Sequence, residues 1–422
     1  MLRTLLFFLL ATSSSFASDL LFVGFDTGET NIWIQVVKSW ENSPSAQALT
    51  MATSSKVASA AGISHITVEQ LGVSCPANQR LYTLSSTDLK KIDQLSASTL
   101  VTGMYSTPQR QIAELFHQKG SCVVAIWDNF STYDKLPQDL MANVEKIIHV
   151  ADAVLVPSQE IANDLNTRFH MDKAIALGQP TLDLWEENVA RVDKEAALKK
   201  IGFQNNVPIL TYISGYQDAD NGYNASFILF VESVRALKTP VQIIVQLHPR
   251  SDASFERKVL EEYVSRNSRF PHYMISDGKQ LSTYEAVALA DLGICQRSTV
   301  AIQALFAGKQ FMHIDVPGTP FSHFAIEKGL ISQCLSTEAA TQYITKHLHD
   351  AVDLSDLYTK AQIPFAATQR YRTYLYCFHS KVMKISASAS SLTAVACHGL
   401  FACFHRPCAY TEHDSTNKKL KR

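Results

Sequence analysis

The sequence predicts an α/β fold: two doubly wound, parallel-sheet domains facing one another across a cleft. Three observations carry that prediction. Short apolar runs alternate with helical patterns through both halves, the signature of a parallel sheet covered on both faces. The alternation breaks once, over the charged stretch 185–203. And 422 residues, 46% hydrophobic and 18% charged, suit two cores of roughly 150–200 residues each.

The first half begins with "DLLFVGFDTGETNIWIQVVK". Leu20–Val23 reads as a strand, Gly24 and Gly28 bracket a turn, and Ile32, Val36 and Val37 recur at helical spacing. The runs "STLVTGMY" (98–105), "SCVVAIWDNF" (121–130) and "ADAVLVPS" (151–158) are further strands, each followed by a polar loop. Ser158 is an N-cap for the helix "EIANDLNTRF". The stretch 185–203 has no strand and reads as a linker with a surface helix.

The series then restarts. Strands are expected in "VPILTYISGY" (207–216), "VQIIVQL" (241–247), "HYMISD" (272–277), "LGICQR" (292–297) and "QFMHID" (310–315). Helices are expected over 225–238, 255–267 and 283–290, and from Ser298 to Gly308. No sequence repeat links the halves. The expected division is a signal-like segment 1–17, a first domain 18–190, a second domain 200–345 and returning helices 346–384. A small, polar and finally basic tail, 385–422, completes the chain.

At the N-terminus, Arg3, the apolar Leu5–Ala11 and the small-x-small Ser15-Phe16-Ala17 have the order of a secretory signal. Export to a periplasm or secretory lumen is the expectation, with a cytoplasmic location the alternative. No run approaches the ~20 apolar residues of a membrane-spanning helix. A formal net charge of −1 argues against nucleic acid as partner, so any anion site is local. Cys122 and Cys295 lie in apolar runs and read as core. In the tail, Cys397, His398, Cys403, His405 and Cys408 lack the paired CxxC spacing of a structural zinc site, and disulfides fit better in an exported chain.

Ligands of open α/β sheets bind outside the C-terminal strand ends. In the second half the strand 241–247 ends in "HPR". Pro249 stops the ladder and sends His248 and Arg250 outward at a fixed angle, a pairing suited to a phosphate. On another strand end, Ser298 and Thr299 offer hydroxyls and free N–H groups at a helix start. N-capping by Ser298 is the simpler reading of that pair. Gly215, in a third strand-end loop, permits close backbone approach.

"ALGQPTLD" (176–183) resembles the Gly-(His/Asn)-Pro-x-x-Asp segment at the domain junction of GT-B-fold glycosyltransferases and of the related non-hydrolysing sugar-nucleotide epimerases. "RSTVAIQALFAGKQ" resembles the donor helix of lipid-A-disaccharide synthases, and "LHPR" the His-Pro element of bacterial sialyltransferases. The resemblance spans roughly residues 19–345. It implies two Rossmann-like domains, a nucleotide-linked sugar held by the second domain at His248, Arg250, Gly215, Ser298, Thr299 and Gln303, and no metal or other cofactor. It departs from the pattern at Gln179, where His or Asn is usual, and at Gln303, where the ribose-holding glutamate is usual. Glutamine hydrogen-bonds hydroxyls without the charge-assisted acceptor.

Sugar transfer requires a base for the acceptor hydroxyl and positive groups for the leaving phosphate. In the family the base belongs to the first domain. The candidates there are Asp26, Glu29 and Asp128, with Tyr133 available to stack on or hydrogen-bond a sugar. The ordinary alternatives are a turn former at Asp26 and an amide-capping carboxylate at Asp128. The expected function is transfer from a nucleotide sugar to a glycan or lipid-linked acceptor. A sugar-nucleotide 2-epimerase and a non-catalytic glycan- or nucleotide-binding protein are the alternatives.

Overall fold

A computed structural model describes residues 17–39, 46–76, 79–215, 222–248, 251–266, 271–318 and 323–389. The first sheet contains β1 (Ala17–Gly24), β2 (Ala46–Thr50), β3 (Ile66–Thr67), β4 (Ser96–Thr102), β5 (Cys122–Ile126), β6 (Ala153–Val156) and β7 (Ala174–Ala176). Its order is β3-β2-β1-β4-β5-β6-β7, parallel throughout. The second contains β8 (Ile209–Ile213), β9 (Gln242–Gln246), β10 (Tyr273–Ser276), β11 (Leu292–Cys295), β12 (Phe311–Ile314) and β13 (Ser332–Cys334). Its order, β10-β9-β8-β11-β12-β13, repeats the first sheet's winding and is also parallel. Both are Rossmann-like, with the order reversing between β1 and β4 and between β8 and β11.

The apolar runs split by strand periodicity. Leu21, Val23, Leu100 and Val123 join one core, while Leu20, Phe22, Val101 and Val124 join another on the opposite face. A strand buried on both faces gains apolar transfer energy from every residue, which is why these runs lack polar alternation. Ser158 caps its helix as expected, accepting from the Ile161 N–H.

Two expectations need correction. The stretch 185–203 has no strand and joins the two sheets, but it is packed more firmly than a surface linker would be. It holds the helices Pro180–Ala190 and Lys194–Ile201, whose Trp185, Val189, Ala197 and Leu198 are buried in cores that include second-sheet residues Ile213, Ile209 and Ile244. Its many charges occupy the outer faces and mask an amphipathic pattern. The final helix, Ala367–Ala389, continues past residue 384, beyond the boundary drawn for the tail. Its Tyr371, Tyr374, Leu375 and Phe378 pack into the core containing Leu20, Trp33 and Val124 of the first domain.

Residues 1–16 and the Cys- and His-containing segment from 390 onward lie outside the described residues. No described helix is long and apolar enough to cross a membrane. Cys122 and Cys295 are buried, as their apolar runs imply.

Candidate functional site

At the reversal point of the first sheet, β1 runs through Phe25 and Asp26 into the helix Thr27–Lys38. Glu29 lies in its first turn with 2% of its surface exposed. Its Oε1 accepts from the Phe25 N–H at 2.9 Å, the Asp26 N–H at 2.6 Å and Gln109 Nε2 at 3.0 Å. The Asp-x-x-Glu spacing is a capping box, and the glutamate satisfies backbone donors the helix leaves open. Burial, then the nearby Asp128 and Asp26, push its carboxyl up to about 8.

Asp128 follows β5 and the buried Trp127, and its own residue is only partly buried. An added Cβ at Gly28 would come within 2.0 Å of Asp128 Oδ2, so the bare glycine admits this carboxylate to the helix start. The N–H groups of Asp128 itself and Glu29 donate to it. Burial first, then Asp26, nevertheless raise it to about 6, against the pull of Arg80. Arg80 pairs directly with Asp26 at 2.8 Å. Burial raises Asp26 as well, and Arg80 opposes the rise. Glu29 and Asp128 are thus each raised in part by neighbouring carboxylates, whose negative charge disfavours their ionised forms.

Tyr133 does not line this edge. It is buried, its ring sits edge-on to Phe169 at 5.2 Å, and its hydroxyl donates to Glu145. Gln179, singled out as a departure, has a local partner: its Nε2 donates to the Asp128 carbonyl at 2.7 Å.

The corresponding edge of the second sheet is built from different chemistry. An added Cβ at Gly215, two residues past β8, would lie 2.3 Å from the Gln296 carbonyl oxygen, so this glycine lets the turn after β11 close in. In that turn Arg297 adopts a left-handed φ of 52°, unfavourable for a residue with a Cβ. Its N–H donates to His313 Nε2 at 3.0 Å, and its guanidinium lies 3.5 Å from the fully buried Asp315. Burial, reinforced by His323, holds His313 down at about 4, so the ring stays neutral and accepts that bond. Nothing in "QFMHID" marks His313 as other than a core residue. The His/Arg/Asp arrangement is invisible to local pattern.

Below this turn, Tyr223 donates to Glu256 Oε1 at 2.5 Å and accepts from Ser214 Oγ at 2.8 Å. Ser298 Oγ accepts from the Val300 N–H at 3.3 Å, whereas Thr299 is exposed, sits at the start of the helix Val300–Phe306 and makes no side-chain cap. Gln303 is partly buried on that helix. His248 is at the end of β9, partly buried; Pro249, Arg250 and residues 216–221 lie outside the described residues.

The two edges meet. Phe130, two residues after Asp128, stacks on Phe324 at 5.2 Å, and Phe324 adjoins His323, whose ring centroid is 5.8 Å from that of His313. Lys135 pairs with Glu327, and Lys328 with Glu160 at 2.7 Å. Among the described residues, no three His, Cys, Asp or Glu side chains gather as a metal set.

No family model matches the chain, and no curated protein matches it in sequence. Solved structures do match in fold. UDP-GlcNAc 2-epimerase from Neisseria meningitidis, bound to UDP-GlcNAc, superposes with a TM-score of 0.62 at 13% identity, over 85% of this chain and 98% of that one. A glycosyltransferase from Rickettsia africae gives 0.55 at 13%, over 88% of this chain and 99% of that one. The wall teichoic acid polymerase TagF gives 0.51 at 10%, over 87% of this chain and 90% of that one. The fold is therefore GT-B-like: two Rossmann-like domains in the arrangement these proteins share.

Proposed function

We propose that the chain is a glycosyltransferase that moves a sugar from a nucleotide-linked donor to a hydroxyl acceptor. The observation that carries this reading is Asp128, a partly buried carboxylate raised to about 6 on an edge that touches the second domain through Phe130. A base with that affinity for protons works near neutral pH. In the proposed step the acceptor oxygen bonds to the anomeric carbon while the bond from that carbon to the diphosphate breaks. Asp128 takes the hydroxyl proton, and the nucleoside diphosphate leaves with the bonding electrons. His248, Arg250, Arg297, Ser298 and Thr299 are the donors proposed for the phosphates, with Gln303 on the ribose and Gly215 allowing close approach. Glu29 holds the helix start rather than reacting, since its bonds and burial turn it inward.

A 2-epimerase reading draws support from the UDP-GlcNAc 2-epimerase likeness and from three carboxyls, Asp26, Glu29 and Asp128, that are electrostatically coupled. A panel of sugar nucleotides incubated in D2O, with and without glycan acceptors, separates the readings. Transfer releases nucleoside diphosphate and forms a glycoside only when acceptor is present. Epimerisation instead inverts the sugar and exchanges solvent deuterium onto its carbon. Binding with neither product supports the non-catalytic alternative.

A further inference from the structure

We infer that Gln179 is a positioning residue that ties the setting of the Asp128 carboxylate to the packing between the two domains. The inference rests in part on the reading of Asp128 given above. Gln179 is 7% exposed and stands where the chain leaves the first sheet. The helix it opens, Pro180–Ala190, buries Leu182, Trp185 and Val189 among Ile213, Val287 and Phe306 of the second domain. Its side chain reaches the other way, to the Asp128 carbonyl at 2.7 Å.

The chain's return crossing clamps the same point. Gly178 has a φ of +87°, and a Cβ there would sit 2.5 Å from the Pro364 carbonyl oxygen. The Thr368 N–H donates to Asp183 Oδ2 at 2.7 Å, and the Gln159 N–H to the Gln362 carbonyl at 2.9 Å. Gln362 and Ala366 take left-handed φ values of 54° and 52°, so the crossing is held in a strained shape by its surroundings. The Asp128 loop is thus gripped on both sides by groups tied to the second domain: Gln179 on its carbonyl, and Phe324 on the ring of Phe130. A shift between domains reaches the carboxylate through one hydrogen bond and one ring contact. The charged and titratable groups around that carboxylate are Asp26, Glu29, Arg80, Tyr105 and Tyr371. None of them makes the Gln179 bond.

The test uses the full chain with Gln179→Met, which keeps length and removes the donor, and Gln179→Asn, which keeps the amide but shortens its reach. Both are expected to lower kcat roughly ten- to a hundredfold, the cost of misplacing a reacting group, with UDP affinity unchanged. Both also move the Asp128 carboxyl, followed by carbon-13 NMR, back toward the ordinary carboxylate range as the loop loosens and solvent enters. Parent-like kcat and titration in the methionine variant overturn the inference, as does a lowered melting temperature with the titration unmoved. If the parent turns over no donor, the reading of function fails separately. The carboxyl titration then decides the role of Gln179 alone.

Discussion

The two sheets share one winding and differ at the same address. At the reversal point of the first, the side chains are acidic: Asp26, Glu29 and Asp128, with Arg80 as the local counter-charge. At the reversal point of the second, they are Arg297 and the neutral His313, over Asp315, with His248 on the neighbouring strand end. Even the glycines play parallel parts, Gly28 admitting a carboxylate and Gly215 a backbone carbonyl. Winding fixes where a ligand approaches, and the side chains delivered there decide whether that edge accepts protons or binds anions.

The two glycines are expected to separate the edges most sharply. In Gly28→Ala the obstructed atom is the end of a side chain, so Asp128 swings aside. Turnover is expected to fall about a hundredfold, as for a displaced catalytic group, with a small change in melting temperature. In Gly215→Ala the obstructed atom is backbone, which cannot swing. Stability is expected to drop by about 1–3 kcal/mol as the turn after β11 is forced outward, with nucleotide affinity falling in parallel. Measuring turnover, affinity and melting temperature on both variants tests the contrast; equal profiles would remove it.

A single-residue probe of the second edge comes next. His248→Ala is expected to weaken nucleotide binding by about 1–3 kcal/mol, the scale of a charge-assisted contact. Calorimetry giving equal affinity in mutant and parent removes His248 from the phosphate site.

A further effect concerns Glu29 and is read in stability alone. Its carboxyl rises from an ordinary 4.5 to about 8 in the fold, so the folded chain holds a proton that the unfolded chain releases between those values. Its contribution is fully present below 4.5 and is lost as pH climbs to about 8. Glu29→Gln keeps an oxygen acceptor for the same donors and has no proton to lose. The variant's melting temperature is therefore expected to gain on the parent's as pH rises through that window. A constant difference between the two curves contradicts the inward, protonated setting of Glu29.

Much of this was legible in the sequence, and the omissions have physical causes. Strands with apolar runs on both faces, such as "LLFV" and "QIIV", announce themselves. β3, β7 and β13 are two or three residues long, too short for any period, and exist because neighbouring strands offer them a ladder. Asp128 could be found because a carboxylate just past a strand is at the right address. The inward turn of Glu29 was also available, in its capping spacing from Asp26. Arg297 was not, because a left-handed backbone leaves no residue-type signal when the residue is not glycine. The Gln179 bond joins positions 51 apart, a contact only the tertiary fold creates.

In the proposed reaction the first edge supplies the base and the second holds the nucleotide. Asp128→Asn tests it most directly, with UDP affinity and the pH profile of turnover measured on one preparation beside the parent. Parent-like affinity is expected, with turnover reduced by about a hundredfold or more, the usual range for a lost general base. In the parent, turnover is expected to rise as pH passes through about 6, the value to which burial and Asp26 raise the Asp128 carboxyl. A variant that keeps both turnover and that rise, or one that loses nucleotide affinity along with turnover, would contradict the division of labour between the two edges.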